Sequence, residues 1–174
     1  MRRQEGFTLI ELLVVISLAV VMLTLSASAV RHFWLVRSLE GGRDEVISQL
    51  RELQQRVVAE TNPLVYGARF RVGSGEWGLV RYNIQTGVCT QFETRSFETG
   101  VIVSAVDLAE PSWIATCRSA LGATDEFVFF FARGSATEGL LTPPGTPSAI
   151  ELRQPVLDRT QRVAVTGITG RVSL

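Results

Sequence analysis

Between Phe7 and Val30 the chain reads FTLIELLVVISLAVVMLTLSASAV, an apolar run broken by one charge, Glu11. Coiled as a helix, such a run extends about 36 Å, enough to cross a hydrocarbon core of about 30 Å. A cleavable secretory signal has a shorter apolar stretch, about 7–15 residues, followed by a small-residue cleavage site. This run is longer, so it reads as an anchor that stays. The small residues Ser26 to Ala29 keep removal by signal peptidase as the alternative. Any fold that follows must therefore hang from a membrane rod.

The 174 residues leave room for the anchor and one further domain. Seventeen basic residues balance 17 acidic ones, and every basic residue is Arg. Composition thus supplies no overall positive field for nucleic acid. Cys89 and Cys117 both lie beyond the anchor. If that part is exported they are able to bridge, and closing a loop of about 29 residues contributes roughly 3–4 kcal/mol on the chain-entropy account. Two buried thiols are the alternative.

The first residues carry the most specific signal. MRRQEG-FTLIELLVVISL places Arg2 and Arg3 before Gly6, starts the apolar run at Phe7, and puts Glu11 four residues later. This pattern resembles the type IV prepilin signal over about the first 25 residues. The resemblance implies cleavage between Gly6 and Phe7 by prepilin peptidase, N-methylation of Phe7, and assembly with other pilin or pseudopilin subunits. It also implies a single-pass protein of the inner (plasma) membrane, with its leader cytoplasmic and its head extracytoplasmic. Charge alone does not decide orientation, because Arg31, His32 and Arg37 flank the far end of the span.

The spacing has a chemical reason. Cleavage would create an α-amino group on Phe7, and Glu11 lies one turn away on the same helix face. A carboxylate within a bilayer costs roughly 2.5–3.5 kcal/mol on insertion scales and needs a partner. The Phe7 ammonium, in the same chain or a neighbouring one, meets that need, making Glu11 the candidate residue for assembly. An acid snorkelling to the interface is the plainer reading.

The boundaries read as a leader over 1–6, a transmembrane helix over 7–30, a helix continuation over 31–61 and a β-rich head over 62–174. Val46, Leu50, Leu53 and Val57 form an apolar stripe at helical spacing. Gly41-Gly42 predicts a kink or hinge, and Asn62-Pro63 a stop. Phe33 and Trp34 suit a membrane-interface belt. Strands are expected over Leu64–Val72, Trp77–Ile84, Val88–Ser96, Val101–Ala105, Glu126–Ala132, Ala149–Arg153 and Arg162–Leu174. Turns fall at Gly73-Ser74-Gly75 and Gln85-Thr86-Gly87, and a loop over Leu140–Ser148. Phe127–Phe131 is apolar enough to predict a central strand, and Asp125-Glu126 a solvated turn. The fold class is α+β: a long N-terminal helix packed on an antiparallel head, the pilin-like plan.

EFVFFFARGSATEGL, AIELR and RVAVTGITGRVSL, within Glu126–Leu174, also resemble the C-terminal half of the H-type minor pseudopilins of type II secretion and their pilus relatives. Ser28 stands where major pilins usually carry a helix-breaking proline, and the cysteines lie mid-domain. Both departures point to a minor subunit.

Catalysis is not expected. The chain has no Lys, and its single His32 is a solvated residue beside the membrane rather than a triad member. No Cys/His spacing suits a metal, and no cofactor is implied. DNA binding is the weaker alternative. Some pilus relatives bind DNA through a Gly-Arg-x-Arg motif, of which Gly170-Arg171 keeps the first arginine alone. Arg153, Arg159, Arg162 and Arg171 are able to form a phosphate-binding patch, or else to guard a strand edge.

Overall fold

The computed structural model describes residues 9–60, 63–107, 111, 113–131, 148–165 and 172–173. Its first element, α1, runs from Leu9 to Ala59. Helical structure passes through Gly41 and Gly42 without a break, so the helix does not end there. Gly42 has a packing reason. A Cβ there would lie 3.1 Å from the Phe97 ring, so glycine lets Phe97 of the head pack closely on the helix.

Two sheets of four strands follow. The first, in the order β3-β2-β1-β5, contains β1 (Leu64–Arg71), β2 (Glu76–Asn83), β3 (Val88–Ser96) and β5 (Asp125–Phe130). The second, in the order β4-β6-β7-β8, contains β4 (Ile102–Asp107), β6 (Ser148–Gln154), β7 (Arg159–Val165) and β8 (Val172–Ser173). Every pairing between these strands is antiparallel. The β1–β2 turn, meeting β4, stitches the two sheets together. The Gly73 N–H donates to the Val103 carbonyl and the Val103 N–H to that of Ser74. Gly73 takes φ +81° to make this turn, a conformation glycine adopts without steric cost.

The larger core lies between the two sheets and the C-terminal half of α1. Leu39, Val46, Ile47, Leu50, Leu53 and Val57 meet Phe70, Trp77 and Phe130 from the first sheet and Ile150, Leu152 and Val163 from the second. The smaller core lies on the outer face of the first sheet, under α2 (Ile114–Leu121), an element the sequence reading did not foresee. Cys89 and Cys117 are bridged, fastening α2 to β3. Trp113, at the start of α2, stacks on Tyr82 at 3.8 Å between ring centroids.

Two expectations change. Phe127–Phe131 is not a central strand, because among the described residues β5 pairs with β1 alone and ends its sheet. Its apolarity comes from layers above and below: Phe127 and Phe129 enter the smaller core, Val128 and Phe130 the larger. Asp125 is not in a solvated turn either. It opens β5 and is only 1% exposed. The strand expected over Arg162–Leu174 is two strands, β7 and β8, paired with each other. The architecture as a whole is α+β and pilin-like, a long apolar N-terminal helix with antiparallel sheets. Of the loop expected over Leu140–Ser148, only Ser148 is described, and it begins β6.

Candidate functional site

The N-terminal half of α1 has no protein around it. From Leu9 to Val30 the described side chains are exposed, among them Leu13, Ile16, Leu18, Val21 and Leu25, each more than half accessible. The segment is apolar on every side, and none of it is buried in the head. A helix apolar all round needs a protein or lipid environment. At 1.5 Å per residue, Leu9–Val30 rises about 33 Å, close to the thickness of a hydrocarbon core. Its hydroxyls do not spoil this surface. Ser17, Thr24, Ser26 and Ser28 each donate back to a carbonyl three or four residues earlier, which satisfies their polarity within the helix.

Glu11 stands in the first turn of this segment, exposed. Gly6 and Phe7 lie outside the described residues.

Residues 1–27 match the protein family described as the prokaryotic N-terminal methylation motif. The chain carries a prepilin motif. No curated protein and no solved structure matches the chain significantly. The motif overlaps the exposed apolar helix over residues 9–27, and together they fit membrane anchoring. Prepilin-type proteins generally meet prepilin peptidase and other pilins through this region.

Past the prepilin motif, α1 changes character within two turns. Phe33 and Trp34 are exposed and pack edge to face, and the Arg37 guanidinium lies 5.9 Å from the Phe33 ring centre. His32 is exposed beside them. From Leu39 onward one stripe of the helix is buried and polar side chains tie the rest to the head. Arg95 joins Glu45 at 2.9 Å, Arg43 reaches Gln161, and Arg51 donates to the Val172 carbonyl. Burial works against the charge of Arg95, but bonds to Glu45 and Glu93 outweigh it and raise the guanidinium pKa. Near the end of α1, the Tyr66 hydroxyl donates to Glu60; burial first, then that bond, raises the phenol above its ordinary 10.0.

The C-terminal arginines are only partly brought together. Arg153 and Arg162 share one face of the β6–β7 ladder, where Arg153 opposes Thr160 and Arg162 opposes Glu151. Each is ion-paired, Arg153 with Asp158 and Arg162 with Glu151. Arg159 opposes the buried Gln154 and so belongs to the other face, though it is exposed. Arg171 lies outside the described residues. Two of these cations are thus largely neutralised by adjacent acids, which weakens them as a phosphate patch.

One charged cluster was not legible beforehand. On the α2 side of the first sheet, Arg69 and Arg71 of β1 meet Glu76 of β2 and Asp125 of β5. Arg69 and Asp125 are almost wholly buried, with Arg69 Nε 3.4 Å from Asp125 Oδ2. The alternation Arg69-x-Arg71 is a sequence trace of two cations on one strand face. Their acid partners come from distant strands. The network is charge-balanced, with Arg69 and Asp125 buried and Arg71 and Glu76 at its partly exposed rim, so it serves the head's structure. Among the described residues no group of three or more His, Cys, Asp or Glu side chains is placed to hold a metal.

Proposed function

We propose that this protein is a minor pseudopilin, assembled into a type II secretion pseudopilus where it supports protein secretion. One observation carries the reading: a helix whose first half is wholly exposed and apolar, with an acid in its first turn, is continuous with a second half built into a folded head. In this reading prepilin peptidase cuts between Gly6 and Phe7, Phe7 is N-methylated, and the helix sits in the inner membrane with the head extracytoplasmic. Glu11 then recruits the subunit to the filament by pairing with the Phe7 ammonium of a neighbour, and the exposed helices bundle in the filament core. The role is assembly rather than catalysis.

The resemblance of Glu126–Leu174 to H-type minor pseudopilins supports the choice of machine. A minor pilin of a type IV or competence pilus is the second reading, with DNA contact through Arg153, Arg159, Arg162 and Arg171. The exposure of Arg159 favours it, and the acids beside Arg153 and Arg162 weigh against it.

The test joins processing to assembly. Mass spectrometry of the protein from its native membrane is expected to find a chain beginning at methylated Phe7. Glu11→Ala is expected to be processed and inserted normally yet left out of filaments. Normal incorporation of that variant removes the role given to the carboxylate, and an uncut Met1 removes the reading itself.

A further inference from the structure

The turn between β6 and β7 descends beside α1 to the level where the apolar segment ends. Val156 and Leu157, at its tip, line a cleft of ≈ 460 Å³ with Ala27, Ser28, Arg31, His32 and Leu35 of the helix. Ala27 and Ser28 belong to the last turn of the apolar run. A part of the head remote in sequence therefore reaches the plane in which the bilayer surface must lie if Leu9–Val30 fills its hydrocarbon core.

This turn is held stiffly. Gln154 at its root is fully buried and donates through Nε2 to the Thr99 carbonyl at 2.7 Å. The Leu157 N–H donates to the Gln154 carbonyl, and Arg153 bridges across the turn to Asp158. Such anchoring has the effect of presenting Val156, which is 65% exposed, rather than letting it fold back onto the head. An exposed aliphatic tip on a rigid turn is poorly suited to water. It is well suited to the boundary between headgroups and acyl chains, where apolar side chains flanked by arginines bind.

The charges around it agree. Arg31, Arg37, Arg153 and Arg159 lie on the helix and hairpin at this level, against the acids Glu40 and Asp158. The excess is positive, although the chain as a whole is neutral. Anionic headgroups attract juxtamembrane arginines by about 1 kcal/mol each near the surface. Phe33 and Trp34, exposed one turn above the apolar run, extend the same belt on the helix.

We propose that the β6–β7 turn is a second membrane contact, in which Val156 enters the anionic headgroup layer of the bilayer that holds Leu9–Val30 while Arg31 and Arg159 meet lipid phosphates. Two points of attachment, a rod and a turn beside it, set the rotation and tilt of the head about its helix. A subunit waiting in the membrane is thereby held with one face toward the filament base. The inference rests on the membrane-anchored reading above.

The full chain in phosphatidylglycerol-containing nanodiscs tests both. An environment-sensitive fluorophore is placed in turn on Leu18→Cys, Val156→Cys and Thr86→Cys. Thr86 lies in the exposed β2–β3 turn, near Leu64 just past the far end of α1 from the apolar segment. The Leu18 and Val156 probes are expected to emit to the blue of the Thr86 probe and to resist aqueous iodide. The Val156 shift should shrink in phosphatidylcholine or at high salt. A dry Leu18 probe with a Val156 probe as wet as that at Thr86 overturns this contact and leaves the anchor standing. A wet Leu18 probe overturns both. Shielding of Val156 that arises only on addition of filament subunits overturns the lipid assignment in favour of a protein neighbour.

Discussion

The two halves of α1 are one continuous helix in two different solvents. Leu9–Val30 is greasy on every side and buries none of its residues in the head, which approaches it only beside Ala27 and Ser28, whereas Leu39–Val57 buries one stripe and keeps polar side chains elsewhere. The contrast shows what apolarity is for in each half. In the second, Leu50 and Val46 are sealed against two sheets, so their burial stabilises the head directly. In the first, the same residue types contribute nothing to the fold, because no protein covers them. Their transfer free energy is realised in lipid.

Substitutions can break this comparison. Leu50→Ala removes a fully buried side chain from the larger core and is expected to cost the head 2–5 kcal/mol, at about the scale of other leucine truncations. Leu18→Ala should leave head unfolding in detergent unchanged within about 0.5 kcal/mol. Equal losses from both would mean that the N-terminal half packs on the head after all.

The converse is slightly smaller. Leu18→Arg should oppose membrane insertion by about 2.5–3.5 kcal/mol, read as the membrane-integrated fraction, while the unfolding midpoint of the head stays put. Replacing Cys89 and Cys117 together by Ser probes the head alone. Its stability should fall by roughly 3 kcal/mol and α2 should loosen from β3, seen as faster amide exchange over Ile114–Leu121, with insertion unaffected.

The smallest expected effect is electrostatic. Because folding raises the Tyr66 pKa, the stability it contributes is complete below the ordinary 10.0 and is lost as pH rises through the higher folded value. Melting temperatures taken between about pH 9 and about pH 11 should therefore fall less steeply in Tyr66→Phe than in the parent. An unchanged slope would remove Tyr66 from the alkaline limb.

Much of the head was legible because its signals are local. The turn glycines and alternating strands place β1, β2 and β3 within a residue or two of their observed limits. Asn83 completes the second of those turns, accepting bonds from the Gln85 and Thr86 N–H groups. Other features depend on what lies above or beside a segment, which periodicity does not record. β5 looked central because it is covered on both faces, yet among the described residues it pairs with β1 alone. Gly41-Gly42 reads as a kink or hinge because isolated helices disfavour glycine; that Phe97 arrives from the head to occupy the space beside Gly42 has no trace in that local signal. Asp125 looked solvated because its neighbours in sequence are polar, yet Arg69 and Arg71 receive it inside.

Of the candidate site, the prepilin motif was fully readable in MRRQEGFTLIELL, since its chemistry uses residues adjacent in the chain. The anchor was readable too, as length and apolarity alone determine whether a helix suits a bilayer. Only the tertiary structure decided that one helix serves both membrane and core, that Cys89 and Cys117 bridge, and that Val156 comes to rest beside Ser28. Those outcomes depend on contacts between residues far apart in sequence, and such contacts form only when the sheets close around α1.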